Sequence, residues 1–206
     1  YDLVKLLAGS RGTLGALTEI SLRTAPLPPV TATLALPDLD AAAAIPALSS
    51  ALGGPFDVSG AAWLPGHGAL IRLEGLAASV KARAAALTAR LSACGTVRDG
   101  DSQTWLLLHS NIHDPDLDTW RITCRPSEAP ALLAHLPEPQ SLDWGGALIH
   151  VRLTRGQTPD LPTFSGHARR ISGTPAILPA PHALTARLER DLRARFDPRG
   201  LFGSPA

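Results

Sequence analysis

From Val30 onward the chain spells out the same order of elements twice, and this repetition limits its possible folds more than any other feature. Val30 to Leu36 alternates as a strand does, and residues 38–52 are alanine-rich and helical. Residues 58–64 and 69–73 then read as a hairpin around Pro65-Gly66-His67-Gly68. A second helix is predicted over about 79–93. There Val80, Ala84, Leu87 and Leu91 share one face, and Gly95 suits the C-terminal cap. The grammar returns with a strand at 119–124, a helix capped by Ser127 and running to about 136, and a strand at 147–153. Two strand–helix–strand units of similar size predict an α+β fold, an antiparallel sheet with helices on one face. Pro46 is expected to kink or break the first helix. Residues 156–181 read as loop with a short strand at 167–171. A last helix over 181–196 carries Leu184, Leu188, Leu192 and Phe196 every fourth residue, until Asp197-Pro198 stops it.

The segment before the repeat is different. Pro26, Pro28 and Pro29 mark the best domain boundary, and residues 16–24 alternate in the manner of a strand. Ahead of them lies the glycine cluster Gly9-Ser10-Arg11-Gly12-Thr13-Leu14-Gly15. Glycines let a backbone lie against a ligand with its N–H groups free. No Gly-Lys-Ser/Thr follows, so this is not a Walker loop. The cluster precedes a strand instead of joining strand to helix, so it is not a dinucleotide fingerprint. A nucleotide contact and a tight structural turn both fit the spacing.

Composition removes several classes. A net charge of +1 supplies no basic excess for nucleic acid. No apolar run is long enough to span a bilayer, and no signal segment opens the chain. Cys94 and Cys124 cannot form a disulfide framework; buried, inert thiols in a reduced cytosolic setting are expected. His109 and His113 stand four apart before Asp114, Asp116 and Asp118, but Pro115 and the aspartates suggest an exposed loop, so no metal site is expected. No Gly-x-Ser-x-Gly occurs. Two residues stand out as chemistry. Arg121 lies mid-strand, where a guanidinium can clamp a carboxylate or simply pair with an acidic neighbour. His167 is flanked by small residues that would let a ligand approach, or it is an ordinary hydrogen-bonded loop histidine. There is also no methionine, and the chain opens Tyr1-Asp2-Leu3, which suggests a processed product or a fragment.

The run Tyr1-Asp2-Leu3…Leu7-Ala8-Gly9-Ser10-x-Gly12-Thr13-Leu14-Gly15-x-Leu17-Thr18-Glu19-Ile20 resembles the last FAD-contacting stretch of FAD-linked oxidases of the vanillyl-alcohol-oxidase type. Several further segments appear in the order seen in one branch of that family, the FAD-binding subunits of bacterial glycolate oxidases. These are Ile71-Arg72-Leu73-Glu74-Gly75, Trp120-Arg121-Ile122, Asp143-Trp144-Gly145-Gly146-Ala147-Leu148, Gly166-His167-Ala168 and Asp197-Pro198-x-Gly200-Leu201-Phe202. The Asp-Trp-Gly-Gly-Ala-Leu segment is the most specific of them, and the likeness covers essentially the whole chain.

The resemblance implies a C-terminal portion, lacking the part that holds the FAD pyrophosphate. Residues 1–28 would end the FAD-binding domain, 29–178 would form the cap or substrate domain, and 179–206 would return to the FAD domain. It implies FAD contacts from Gly9, Ser10, Gly12, Thr13, Leu14, Gly15, Leu17 and Thr18. Arg121 and His167 would be the catalytic candidates toward a small 2-hydroxy acid, with glycolate oxidised to glyoxylate. Catalytic relatives in the family carry metal-binding histidines on the strand matching residues 142–149 and a Glu where Gly166 stands; these are gone here, and only Arg121 and His167 survive. The family's Asn-Pro-Gly after the final aromatic reads Gly203-Ser204-Pro205. Such a site suits a subunit that works with a catalytic flavin subunit and an iron–sulfur subunit, cytoplasmic or held by them at the inner face of the membrane. A stand-alone FAD-dependent D-2-hydroxyacid dehydrogenase and a non-catalytic scaffold subunit are the alternatives.

Overall fold

The computed structural model describes residues 2–109, 114, 116–172, 176–180 and 182–202. Its elements in chain order are α1 (Leu3–Leu7), β1 (Val30–Leu36), α2 (Ala41–Leu52), β2 (Val58–Leu64), β3 (Gly68–Gly75), α3 (Ala77–Leu91) and β4 (Arg98–Asp99). A 3₁₀ segment, Ser102–His109, leads to β5 (Leu117–Thr123), a 3₁₀ turn Pro126–Glu128 and α4 (Ala129–Leu133). The chain continues with β6 (Ser141–Asp143), a 3₁₀ turn Trp144–Gly146, β7 (Leu148–Thr154), β8 (His167–Arg170), β9 (Ile177–Leu178) and α5 (Ala183–Phe196). These fall into two compact units, Leu27–Pro175 and a smaller one made of Tyr1–Pro26 with Ala176–Ala206.

In the larger unit the strands pair in the order β4-β1-β3-β2-β6-β7-β5-β8, every neighbour antiparallel. Counted outward from the β2–β6 seam, where Trp63 faces Leu142, the order is the same on both sides. The doubled grammar of the sequence is therefore a doubled half-sheet. Strand alternation sorts its side chains. β5 reads intermediate–buried without a break, with Asp118, Trp120 and Ile122 turned inward. One face buries Leu34, Ile71, Leu73, Trp120, Ile122 and Ile149, and α2, α3 and α4 pack together on that side. At about 25 cal/mol per Å² of apolar surface removed from water, this layer is the main source of stability.

Among the described residues the opposite face is covered in the first half only. Trp105, from the Ser102–His109 segment, packs on Ala35, Ala62, Leu64 and Leu70. Its indole N–H donates to Thr33 Oγ1 at 3.0 Å, and the Arg72 guanidinium lies 5.0 Å from its ring centre.

Several expectations are corrected. Pro46 does not break α2, which runs unbroken from Ala41 to Leu52. The proline sits on the exposed side, so the Ala42 carbonyl that its ring leaves without a donor can turn to water. Asp40 caps this helix, its Oδ1 accepting from Ala43 N at 2.8 Å. The helix expected up to residue 136 ends at Leu133, because 3₁₀-type turns and Pro137 close it. Ser127 lies inside the preceding turn, and the Arg125 N–H donates to Glu128 instead. Residues 16–24 form no strand. They are exposed on both sides and have no ladder partner among the described residues, and alternation alone cannot hold a strand without one. Cys94 is exposed, contrary to the expectation of a buried thiol, because α3 buries its last side chain at Leu91 and Cys94 falls in the turn beyond. Cys124 is half-buried.

In the smaller unit, α1 is capped by Asp2 and α5 by His182, whose Nδ1 accepts from the Leu184 N–H. Asp197 closes α5 by accepting the N–H groups of Leu201 and Phe202 at 2.8 and 2.7 Å. The stripe Leu184, Leu188 and Phe196 is exposed, and no α5 side chain is buried. No described helix is long and apolar enough to cross a membrane.

Candidate functional site

The open face of the second half-sheet carries polar rows that run across strands distant in sequence. The central row is Ser141 on β6, His150 on β7, Arg121 on β5 and Arg169 on β8, each directly opposite the next. The adjacent row is Asp143, Leu148, Thr123 and His167. Neighbours within a row lie about 4.8 Å apart, so His150 flanks Arg121 directly and His167 stands on its diagonal. Arg121 and Arg169 stand opposite one another, with a third arginine (Arg152) on the same face of β7 and the Asp143 carboxylate in the adjacent row.

The structure thus brings the two catalytic candidates of the sequence together on one face. Arg121 stacks on the indole of Trp144, its guanidinium carbon 5.2 Å from the ring centre. Arg170 pairs with Asp118 at 3.4 Å on the opposite face. His167 Nδ1 is 3.1 Å from Thr123 Oγ1, and His150 Nδ1 is 3.1 Å from Ser141 Oγ. The space beside Gly166 is not for a ligand, as the sequence suggested. A side chain there would collide with the Thr123 carbonyl, so the glycine lets β8 approach β5. Glu128 ties the loop before β8 to the end of β5, accepting from Ser165 N at 3.1 Å and Arg125 N at 3.2 Å. Desolvation pushes its carboxyl up, but these amides and the Arg125 charge prevail and leave it below the ordinary value. Burial, and then the charge of Glu128, push the Cys124 thiol up to about 11.

Trp144 owes its position to the turn it opens. Gly145 (φ +67°) and Gly146 (φ +97°) are left-handed and pressed against α2: a Cβ at Gly145 would collide with Leu52, and one at Gly146 would lie 3.0 Å from Ile45. Trp144 is itself held at φ +53°, a conformation costly for a bulky residue, with its N–H donated to Asp143 at 2.7 Å. The residue is 53% exposed, so burial does not explain the strain. With Arg121, Ser141, Asp143, His150 and Leu108 it lines a hollow of about 250 Å³.

The glycine cluster lies in the smaller unit. Gly9 and Gly12 adopt φ of +86° and +74°, and a Cβ added at Gly9, Gly12 or Gly15 would meet nothing within 4 Å. Ser10 N bonds Leu7 O, and Thr13 gives both its N–H and its hydroxyl to the Ser10 carbonyl. Thr13 and Leu14 are buried, while Leu17 and Thr18 are exposed. The segment is thus a hydrogen-bonded turn whose glycines stand on open surface. Within this unit it borders a recess of about 380 Å³, together with Glu189, Leu192 and Arg193 of α5. Among the described residues no three His, Cys, Asp or Glu side chains are gathered so as to hold a metal. His113 and residues 203–205 lie outside the described residues.

Sequence reasoning missed Trp144, His150, Ser141 and Arg169 as site residues. The i, i+2 placement of His150 and Arg152 on a strand was visible; their meeting with Arg121 depends on a strand order that is not sequential.

No protein-family model matches the chain. It is 31% identical, over 98% of its length, to the glycolate oxidase subunit GlcE of Escherichia coli (strain K12). It spans 56% of that relative's length. The resemblance carried by the motifs is therefore shown along nearly the whole sequence, and the chain, an α+β protein with an antiparallel sheet and helices on one face, is a homologue of the glycolate oxidase subunit GlcE.

Proposed function

We propose that this chain serves a flavin-dependent oxidoreductase acting on a 2-hydroxy acid, as the relative's name indicates for glycolate, with residues 29–178 as its substrate-side domain and 1–28 and 179–206 as parts of its FAD-binding domain. The observation that carries the reading is the place of Arg121: mid-row on a polar sheet face, between His150 and Arg169. A guanidinium so placed binds a carboxylate by two charge-assisted bonds, contributing about 1.5–3 kcal/mol each. His167, whose Nδ1 and Nε2 lie 3.1 and 3.4 Å from Thr123 Oγ1, is the candidate to take the hydroxyl proton. FAD, once bound, supplies the acceptor for the hydride that leaves the α-carbon. The residues present fit that group, since Gly9, Gly12 and Gly15 offer backbone with no side chain packed over it. Gly9, Ser10, Gly12, Thr13, Leu14, Gly15, Leu17 and Thr18 form this edge, with Thr13 and Leu14 anchoring it from within. Partner subunits, one a catalytic flavoprotein and one an iron–sulfur protein, would receive the electrons.

The test is anaerobic reduction of the FAD-loaded full-length protein by glycolate, followed by flavin bleaching, with and without partner subunits. Arg121→Gln should lower kcat/KM by about ten- to a hundredfold. An unchanged value would remove Arg121 from the site. Gly15→Val should lower FAD content after desalting, while the stability of the chain stays within about 0.5 kcal/mol. Full flavin occupancy would show that the edge is no cofactor contact. A scaffold role is the second reading, favoured by the exposed Leu184, Leu188 and Phe196. It requires that His167→Ala leave turnover of the assembled complex intact.

A further inference from the structure

Several guanidiniums of this chain lie over aromatic rings, and most are also fixed by a polar partner. Arg72, over Trp105, donates to Ser59 Oγ at 3.2 Å and lies 3.5 Å from Glu74. Arg90, over Phe56, donates to Ser50 Oγ at 2.8 Å. Arg170, over Trp120, is 3.4 Å from Asp118. Arg121 is the exception. It is half-buried, and its guanidinium makes no hydrogen bond or ion pair with any of the described residues; its partner is the Trp144 ring, 5.2 Å away. The Asp143 carboxylate lines the same hollow, yet it accepts the Trp144 N–H at 2.7 Å and forms no ion pair with Arg121 among the described residues.

A ring and a carboxylate take different things from an arginine. The ring attracts the flat face of the guanidinium and leaves its N–H donors, which point outward in the plane, for something else. A carboxylate would hold the group as well but would use the donors a ligand needs. An arginine held by neither would lose its rotamer freedom at the moment of binding, and affinity with it. The turn that presents the ring is built against local preference: Trp144 sits at φ +53°, half-exposed, with Gly145 and Gly146 pressed under it against Leu52 and Ile45. Strain that burial does not account for points to a use for the side chain it aims.

We propose that Trp144 is a positioning residue for the acid site. Its ring holds the Arg121 guanidinium oriented with the N–H edge unspent, so that an incoming carboxylate meets a preformed fork. The ring need not touch the acid itself. This rests on the reading of Arg121 as the carboxylate anchor.

The test is a mutant cycle on the FAD-loaded full-length protein with its partner subunits, reading the half-saturating glycolate concentration and the limiting rate of anaerobic flavin reduction separately. Trp144→Gly removes the ring and suits φ +53°, so the turn should keep its fold. It should raise half-saturation about three- to tenfold and leave the limiting rate within about twofold, as lost binding does. Trp144→Phe keeps a ring face and should stay within about twofold of the unsubstituted protein. In an Arg121→Gln background Trp144→Gly should have no further effect, because the ring acts through the guanidinium. A rise below threefold, a phenylalanine no better than glycine, a loss confined to the limiting rate, or the same loss without Arg121 each overturns the proposal and leaves the anchor standing. Half-saturation unchanged by Arg121→Gln alone overturns the anchor, and the proposal with it.

Discussion

The two half-sheets share one topology and put their outward faces to opposite uses. In the first half the outward positions are Ala35, Ala62, Leu64 and Leu70, sealed under Trp105. In the second they are Ser141, His150, Arg121, Arg169 and Thr123, with no comparable apolar cover among the described residues. The inward faces of the two halves are alike, both apolar and both under helices. Strand order therefore does not make the site. The difference comes from which side chains the second copy carries at every other position, and from the 3₁₀ segment that covers only the first.

If the first half is structural, its outward face should be expensive to disturb. Trp105→Ala should cost about 3–5 kcal/mol in urea unfolding. It removes a buried indole with its bond to Thr33; a cost under 1 kcal/mol would erase the contrast. Next comes the turn on the second half. Gly145→Ala must place a Cβ at positive φ against Leu52 and should lose about 1–3 kcal/mol, read in the same experiment. Arg121→Gln should change stability by less than about 1 kcal/mol, since its partner here is an exposed ring, and a larger loss would make Arg121 structural. The two thiols give a chemical contrast. Iodoacetamide at pH 8 should alkylate exposed Cys94 and leave Cys124, pushed up to about 11, almost untouched, because the thiolate is the nucleophile. Equal labelling would mean that the end of β5 is open to solvent. The smallest effect concerns Glu128. Its depressed carboxyl value means that its bond to Ser165 is complete at neutral pH. The contribution is fully present above the unfolded value of about 4.3 and is lost as pH falls through the lower folded value. The Ser165 amide shift should titrate with a midpoint below 4.5, and Glu128→Gln should abolish that step.

Much of the fold was legible. The stripe Val80, Leu87 and Leu91 predicts α3 because a helix with one apolar face can bury only that face. The alternation around Trp120 and Ile122 predicts β5 for the corresponding reason. What failed did so where the deciding partner was remote. Residues 16–24 alternate but have nothing to pair with among the described residues, and Pro46 is tolerated because its side of α2 faces water. β4 and β6 are too short to show a period. The site was legible as single residues, Arg121 and His167. Its coherence was not, because β6, β7, β5 and β8 are neighbours by topology alone, and the role of Trp144 depends on two glycines fitting under Leu52 and Ile45.

Alternation on β5 has one more consequence. Trp120 and Ile122 answer to the core and Arg121 and Thr123 to the solvent side, so the two sets of positions interleave in sequence yet never share a neighbour in space. Inheritance can therefore rewrite what this surface recognises, codon by alternate codon, while the load-carrying layer beneath stays the same. Homologues that differ in preferred acid should differ at odd-numbered residues of this strand and agree at the even ones.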